Sequence, residues 1–137
     1  MPSASSGYSG TPLAKKLGIE PDHRIATLDE PHGFAALLDL PEGATLAAGL
    51  GDAPDGIVAF FTERADLVRD LPVIEGAIAP DRFAWVAWPK KTSGVATDLT
   101  GDVVRAAVLE TRLVDVKVCA ISEVWSALKV VWRREHR

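Results

Sequence analysis

The apolar positions of this chain follow two different spacings, and the alternation between them lays out its elements. Arg24 to Asp29, Ile57 to Phe61 and Phe83 to Trp88 are short and almost unbroken apolar runs. Runs of that length read as strands whose two faces are both covered. Between them the spacing becomes helical. Leu13 and Leu17 stand four apart, and Phe34, Leu37 and Leu38 form a short stripe. Leu67, Val68, Leu71, Ile74 and Ile78 form a longer one, and Val103, Val104, Ala107 and Val108 the last.

Boundary residues sharpen this reading. Thr11 as N-cap, Pro12 at the first helical position and Gly18 at the end predict a helix over 11–17. Glu30-Pro31 opens a helix reaching about Leu40, with Asp29 as its expected cap. Ala44 to Ala48 is a weak strand, because alanine packs little surface, and 49–56 is a loop of turn residues. Thr62 is expected to cap the next helix, which Pro72 should kink or split. Thr100 caps a helix through about Thr111, with Asp102 in its first turn. At the end, 113–121 and 127–133 alternate like strands and are joined by too few residues for a parallel crossover. They form an antiparallel pair, with Leu128, Val130 and Trp132 on one side.

The order implies a three-layer, Rossmann-like α/β fold. Its sheet of about six strands is mostly parallel, and it ends in an antiparallel β-hairpin. Residues 11–137 make one domain. Residues 1–10, small and polar apart from Tyr8, are expected to be a flexible lead.

Composition narrows the function classes. The chain has 137 residues, 47% hydrophobic and 25% charged, enough for one core without metal or disulfide staples. A net charge of −4 argues against general nucleic-acid or anionic-membrane binding. Cys119 is the single cysteine, so neither an internal disulfide nor a thiolate cluster can form. His23, His32 and His136 lack ligand spacing, so no metal site is expected. No apolar run approaches the roughly 18–20 residues of a membrane span, and the first ten residues lack a signal-peptide core. The expectation is a cytoplasmic protein.

The stretch with the most chemistry is 82–100, a strand running into Pro89-Lys90-Lys91 and then into a helix start. In open α/β sheets, ligands bind at the carboxyl edge. Lys90 and Lys91 offer cations, Ser93 and Thr97 hydroxyls, Gly94 close backbone approach, and Thr100 a helix N-terminus. Lys15 and Lys16 would add two more charges if the first helix packs near that edge. Together these suit an anionic small molecule or an acidic protein surface; the plain alternative is a solvated loop. Asp29 stands where α/β enzymes often keep an acid, beside its expected role as a cap. No P-loop or nucleophile-elbow spacing is present. Trp125, Trp132 and the alternating valines make the hairpin a candidate homodimer surface.

The order of elements resembles a shortened class I S-adenosylmethionine-dependent methyltransferase fold. In that resemblance 24–29 is the first strand, and 57–61, 83–88, 113–121 and 127–133 are the fourth to seventh. The connection from Ala48 to Ile57 is too short for the third. The family's glycine-rich turn is replaced by Asp29-Glu30-Pro31-His32-Gly33, and its ribose-holding acid by Ala48-Gly49-Leu50. No cofactor is therefore expected, and S-adenosylmethionine least of all.

Three stretches carry a closer likeness: Ser6 to Gly18, Trp85 to Thr100 and Leu113 to Cys119. Through them the chain resembles an uncharacterised group of small bacterial proteins, mainly actinobacterial, called DUF3052. That label implies no activity. The reading is a non-catalytic binding module on a degenerate methyltransferase-like scaffold, meeting an anionic ligand or acidic partner at the 89–100 loop. The alternative is a diverged methyltransferase or another small-molecule transferase.

Overall fold

A computed structural model of the protein describes residues 11–51 and 53–137. The expected flexible lead and Tyr8 lie outside the described residues. The elements in order are α1 (Leu13–Lys16), β1 (Arg24–Leu28), α2 (Phe34–Leu38), β2 (Thr45–Ala48), β3 (Gly56–Phe60), α3 (Arg64–Ala77), β4 (Phe83–Pro89), α4 (Gly101–Leu109), β5 (Leu113–Ala120) and β6 (Trp125–Trp132). Short 3-10 turns cover Lys91–Ser93 and Arg134–His136. The strands form a 6-stranded sheet in the order β2-β1-β3-β4-β6-β5. Strands β2, β1, β3 and β4 are parallel, and β6 and β5 form the antiparallel end. The expected Rossmann-like sheet with its terminal hairpin is present, and β2 is its edge.

Burial explains the continuous runs. Every residue of β3 and all of β4 after Phe83 are buried, since helices cover both faces. One face packs Ile57, Ala59, Val86, Leu128, Val130 and Trp132 against α3 and α4. The other packs Val58, Phe60, Trp85, Ala87 and Cys119 against α1 and α2. Trp85 donates its buried indole N–H to the Leu17 carbonyl at 2.8 Å, which fastens α1 to the sheet. Gly56 is required where β3 meets β4. A Cβ there would lie 2.5 Å from the Phe83 ring. Gly18, at φ +78, ends α1 in the left-handed conformation, as expected.

Several local expectations are corrected. The cap residue of α1 is Pro12, not Thr11, and Pro12 has no side-chain group to cap it. Helix α2 is shorter than 31–40 and has Gly33, at φ 89, as its N-cap. Asp29 does not cap it; that residue sits at φ 54 in the turn leaving β1. The turn is held by Thr27, which donates to the Glu30 carboxylate at 2.6 Å. Phe34 and Leu38 are buried, whereas Leu37 is 40% exposed.

Pro72 does not divide α3, which runs unbroken from Arg64 to Ala77. The carbonyl its missing N–H frees belongs to Val68, and both residues are exposed, so water can satisfy that group. Val68, expected in the core stripe, is 45% exposed. Glu63, not Thr62, is the N-cap residue of α3, and its Arg64 N–H is taken by the Asp98 carboxylate at 2.7 Å. The regular alternation of β5 breaks at an irregularity between Asp115 and Lys117, leaving Val116 and Val118 55% and 60% exposed. Trp132 is buried and donates its indole N–H to the Glu75 carbonyl. It is therefore not part of an outward surface, and a hairpin interface would draw on Val116 and Val118 instead. Among the described residues no helix is long and apolar enough to cross a membrane.

Candidate functional site

The carboxyl ends of β1, β3 and β4, the loop after β4 and the β5–β6 turn meet at one edge of the sheet. The 89–100 loop lies there and is held mainly by its own hydrogen bonds. Ser93 donates its hydroxyl to the Lys90 carbonyl at 2.7 Å and accepts from Val95 N–H. Gly94 turns the chain at φ +81. Thr97 donates to the Thr62 carbonyl and accepts from Leu99 N–H at 3.0 Å. Thr100 accepts from Val103 N–H at 3.2 Å and so caps α4, as expected. These hydroxyls build the loop. Asp98 and Asp102 flank the α4 N-terminus, and Asp102 pairs with Arg105 at 3.5 Å.

The lysines of this loop are placed differently. Lys90 donates its backbone N–H to the Val124 carbonyl at 2.7 Å, joining the loop to the hairpin turn. Cys119, at 7% exposure, lies on the same side of the sheet. Burial pushes its thiol up, and the charges of Lys16, Lys117 and Lys90 oppose that shift. Lys117 is the cross-strand partner of Lys129. Burial first, and then Lys117, lowers the Lys129 ammonium below its ordinary value. Lys129 lies 5.0 Å from the centre of the Phe83 ring.

Thus Lys16 from α1, Lys90 from the loop and Lys117 from the hairpin act on Cys119 from one side of the sheet, while Lys129 turns toward Phe83 and the amino edge. Lys15 adjoins Lys16, and Lys91 follows Lys90, both exposed. Asp29 directly follows β1 at this same edge, two residues before Pro31. Lys117 and Lys129 escaped the sequence reading because each stands alone in its strand. The alternation of residues 113–119 and 127–133 would have shown which side they share, but not their register.

Among the described residues, the ion pairs are made by arginine: Arg69 with Asp66 and Asp70, Arg105 with Asp102 and Asp115, and Arg112 with Glu75. No lysine takes part.

A concavity of about 410 Å³ opens at the carboxyl edge beside Lys90. The β1–α2 connection, Pro31 to Phe34, forms one wall with Leu37, and Ile121, Ser122, Val124 and Trp125 form the other. No carboxylate lines it. A second concavity, about 490 Å³, opens at the amino edge and mixes Glu20, Asp55 and Asp81 with His23, Arg82 and Lys129. Among the described residues no group of three or more His, Cys, Asp or Glu could hold a metal ion.

With this geometry in hand, the solved structures similar to the chain can be weighed. A candidate methyltransferase from Thermoplasma acidophilum superposes with a TM-score of 0.60 at 9% identity, over 95% of this chain and 77% of that one. A protein of the NADB-Rossmann superfamily from Streptococcus agalactiae gives a TM-score of 0.53 at 11% identity, over 95% and 71%. Mitomycin 7-O-methyltransferase gives 0.56 at 13% identity, over 88% of this chain and 53% of that one. The chain has a methyltransferase-like Rossmann fold. At such identities the likeness concerns the fold alone. No protein-family model and no curated protein matches the sequence.

Proposed function

We propose that the protein is a non-catalytic binding module on a reduced methyltransferase-like scaffold, taking an anionic ligand or acidic partner through the lysines around its 89–100 loop. The observation that carries this reading is a set of lysines without an ion pair on one side of the sheet. In a chain of net charge −4, Lys16, Lys90 and Lys117 all act on Cys119 from one side of the sheet and form no ion pair, while the ion pairs among the described residues are made by Arg69, Arg105 and Arg112. Lys15 and Lys91 extend the region. Ser93, Gly94, Thr97 and Thr100 shape the loop that presents Lys90 and Lys91. Such a surface attracts anions and orients their approach.

The residues at the β1 edge do not fit S-adenosylmethionine. Asp29 occupies a left-handed turn position, Pro31 removes a donor, and the cavity at this edge offers no carboxylate for a ribose. The hydroxyl of Ser93 and the thiol of Cys119 bond backbone carbonyls, and His23 accepts from the Glu20 N–H. The neighbouring folds favour the alternative, a diverged methyltransferase or other small-molecule transferase. The likeness to the DUF3052 group and a cytoplasmic setting belong to this proposal as well.

Calorimetric titration with poly-glutamate at low salt tests it. Binding should weaken steeply as salt rises and fall in a variant carrying Lys90→Ala, Lys91→Ala and Lys117→Ala. Absence of binding at low salt would sink the reading, as would unchanged affinity in that variant.

A further inference from the structure

The carboxyl-edge concavity carries one step more, and it rests on the lysine-face reading above. We infer that this cavity seats one apolar side chain of an acidic, extended protein segment, whose carboxylates lie along Lys90, Lys16 and Lys117. The lining asks for an apolar occupant. Phe34, Leu37, Ile121 and Trp125 supply its walls, and Leu37 leaves 40% of its surface to solvent. Its back is firm, because Phe34 meets Phe60 edge-on at 4.9 Å and Phe60 meets Trp125 at 5.1 Å. The Ser122 hydroxyl in the wall already accepts from Val124 and Trp125 N–H groups. The bond from Lys90 to Val124 joins the lysine loop to the wall, so cavity and charge are fixed relative to each other.

The spread of charge sets the size of the partner. The lysines come from α1, the loop after β4 and the hairpin, on more elements than a small anion in the cavity could touch. An extended segment can reach them while one of its side chains fills the hollow, the usual arrangement of an anchor with a charged rim. Glu123, exposed at the hairpin tip between Ser122 and Val124 of the wall, marks where the segment's carboxylates do not lie. A nucleic-acid partner comes second, because its phosphate backbone carries no apolar side chain to fill this hollow.

Fluorescence anisotropy with labelled short peptides separates the outcomes. The probes are a Glu- and Asp-rich peptide with one Phe, the same peptide with that Phe replaced by Ser, and a single-stranded oligonucleotide. The Phe peptide should bind about tenfold more tightly than the Ser peptide. Leu37→Glu should remove that difference, and Lys90→Ala with Lys117→Ala should weaken both peptides. If Leu37→Glu fails to fold, His32→Glu at the same mouth serves instead. Equal binding of the two peptides overturns the anchor cavity and leaves the lysine face standing. Binding of neither overturns both, and tighter binding of the oligonucleotide overturns the acidic segment.

Discussion

Lys117 lies directly opposite Lys129 across the antiparallel hairpin, and neither forms an ion pair. Like charges placed so are unfavourable, by roughly 0.2–1 kcal/mol in related cross-strand pairs. Lys117→Glu should therefore raise stability by about 0.5 kcal/mol, since it turns repulsion into attraction. The same change should weaken poly-glutamate binding. Urea denaturation and calorimetric titration on one preparation read both effects. A destabilised variant would show that Lys117 is already satisfied.

Glu75 gives a pH dependence. Its carboxylate accepts from Arg112 N–H at 2.8 Å and from the Arg112 guanidinium at 2.9 Å, tying α3 to the turn before β5. The Arg112 hydrogen bond holds its pKa below the ordinary 4.5, against the opposing effect of burial. A depressed carboxylate contributes stability that is fully present above the unfolded value and lost as pH falls through the folded one. Stability should thus decline on acidification below about 4.5, and Glu75→Gln should lose part of that decline. At neutral pH the substitution should cost about 0.5–1 kcal/mol, because Arg112 is 55% exposed, solvent screens the pair, and Gln keeps an acceptor for the Arg112 N–H. Denaturation curves across pH check both statements; identical acid profiles would remove Glu75 as the cause.

Thr97 should prove structural. Its hydroxyl links Thr62 to Leu99 and so holds the loop against the start of α3. Thr97→Val should destabilise by about 1–3 kcal/mol, because two backbone groups lose a partner. Poly-glutamate affinity measured well below the melting transition should be unchanged. A loss of binding without loss of stability would make Thr97 a contact residue.

S-adenosylmethionine should leave the melting temperature where it is. A bound ligand at a hundred times its dissociation constant would add about 2.7 kcal/mol of stability, enough to see easily. A clear upward shift would revive the methyltransferase alternative.

Element type and order were legible because they follow from local spacing. The apolar runs at 57–61 and 83–88 could only be covered strands, and the short link after Ile121 required an antiparallel pair. The loop between Ala48 and Ile57 left no room for another strand, so β2 had to be an edge. Gly18 and Thr100 announced their turn and cap by residue type alone.

What the sequence could not carry were relationships that depend on who lies beside whom. Asp98 takes the first N–H of α3 from 34 residues away, a role no local pattern assigns. Pro72 is tolerated because it faces solvent, which depends on how α3 is rotated against the sheet. Lys117 and Lys129 oppose each other through a register set after an irregularity in β5, and a one-residue shift would have turned one of them to the other face. The sequence by itself determined the strands, the helices and their order, since period and turn chemistry act within a few residues. Only the tertiary structure decided that three unpaired lysines lie on one side of the sheet near an apolar hollow, because packing, not spacing, brings residues 16, 90 and 117 around Cys119.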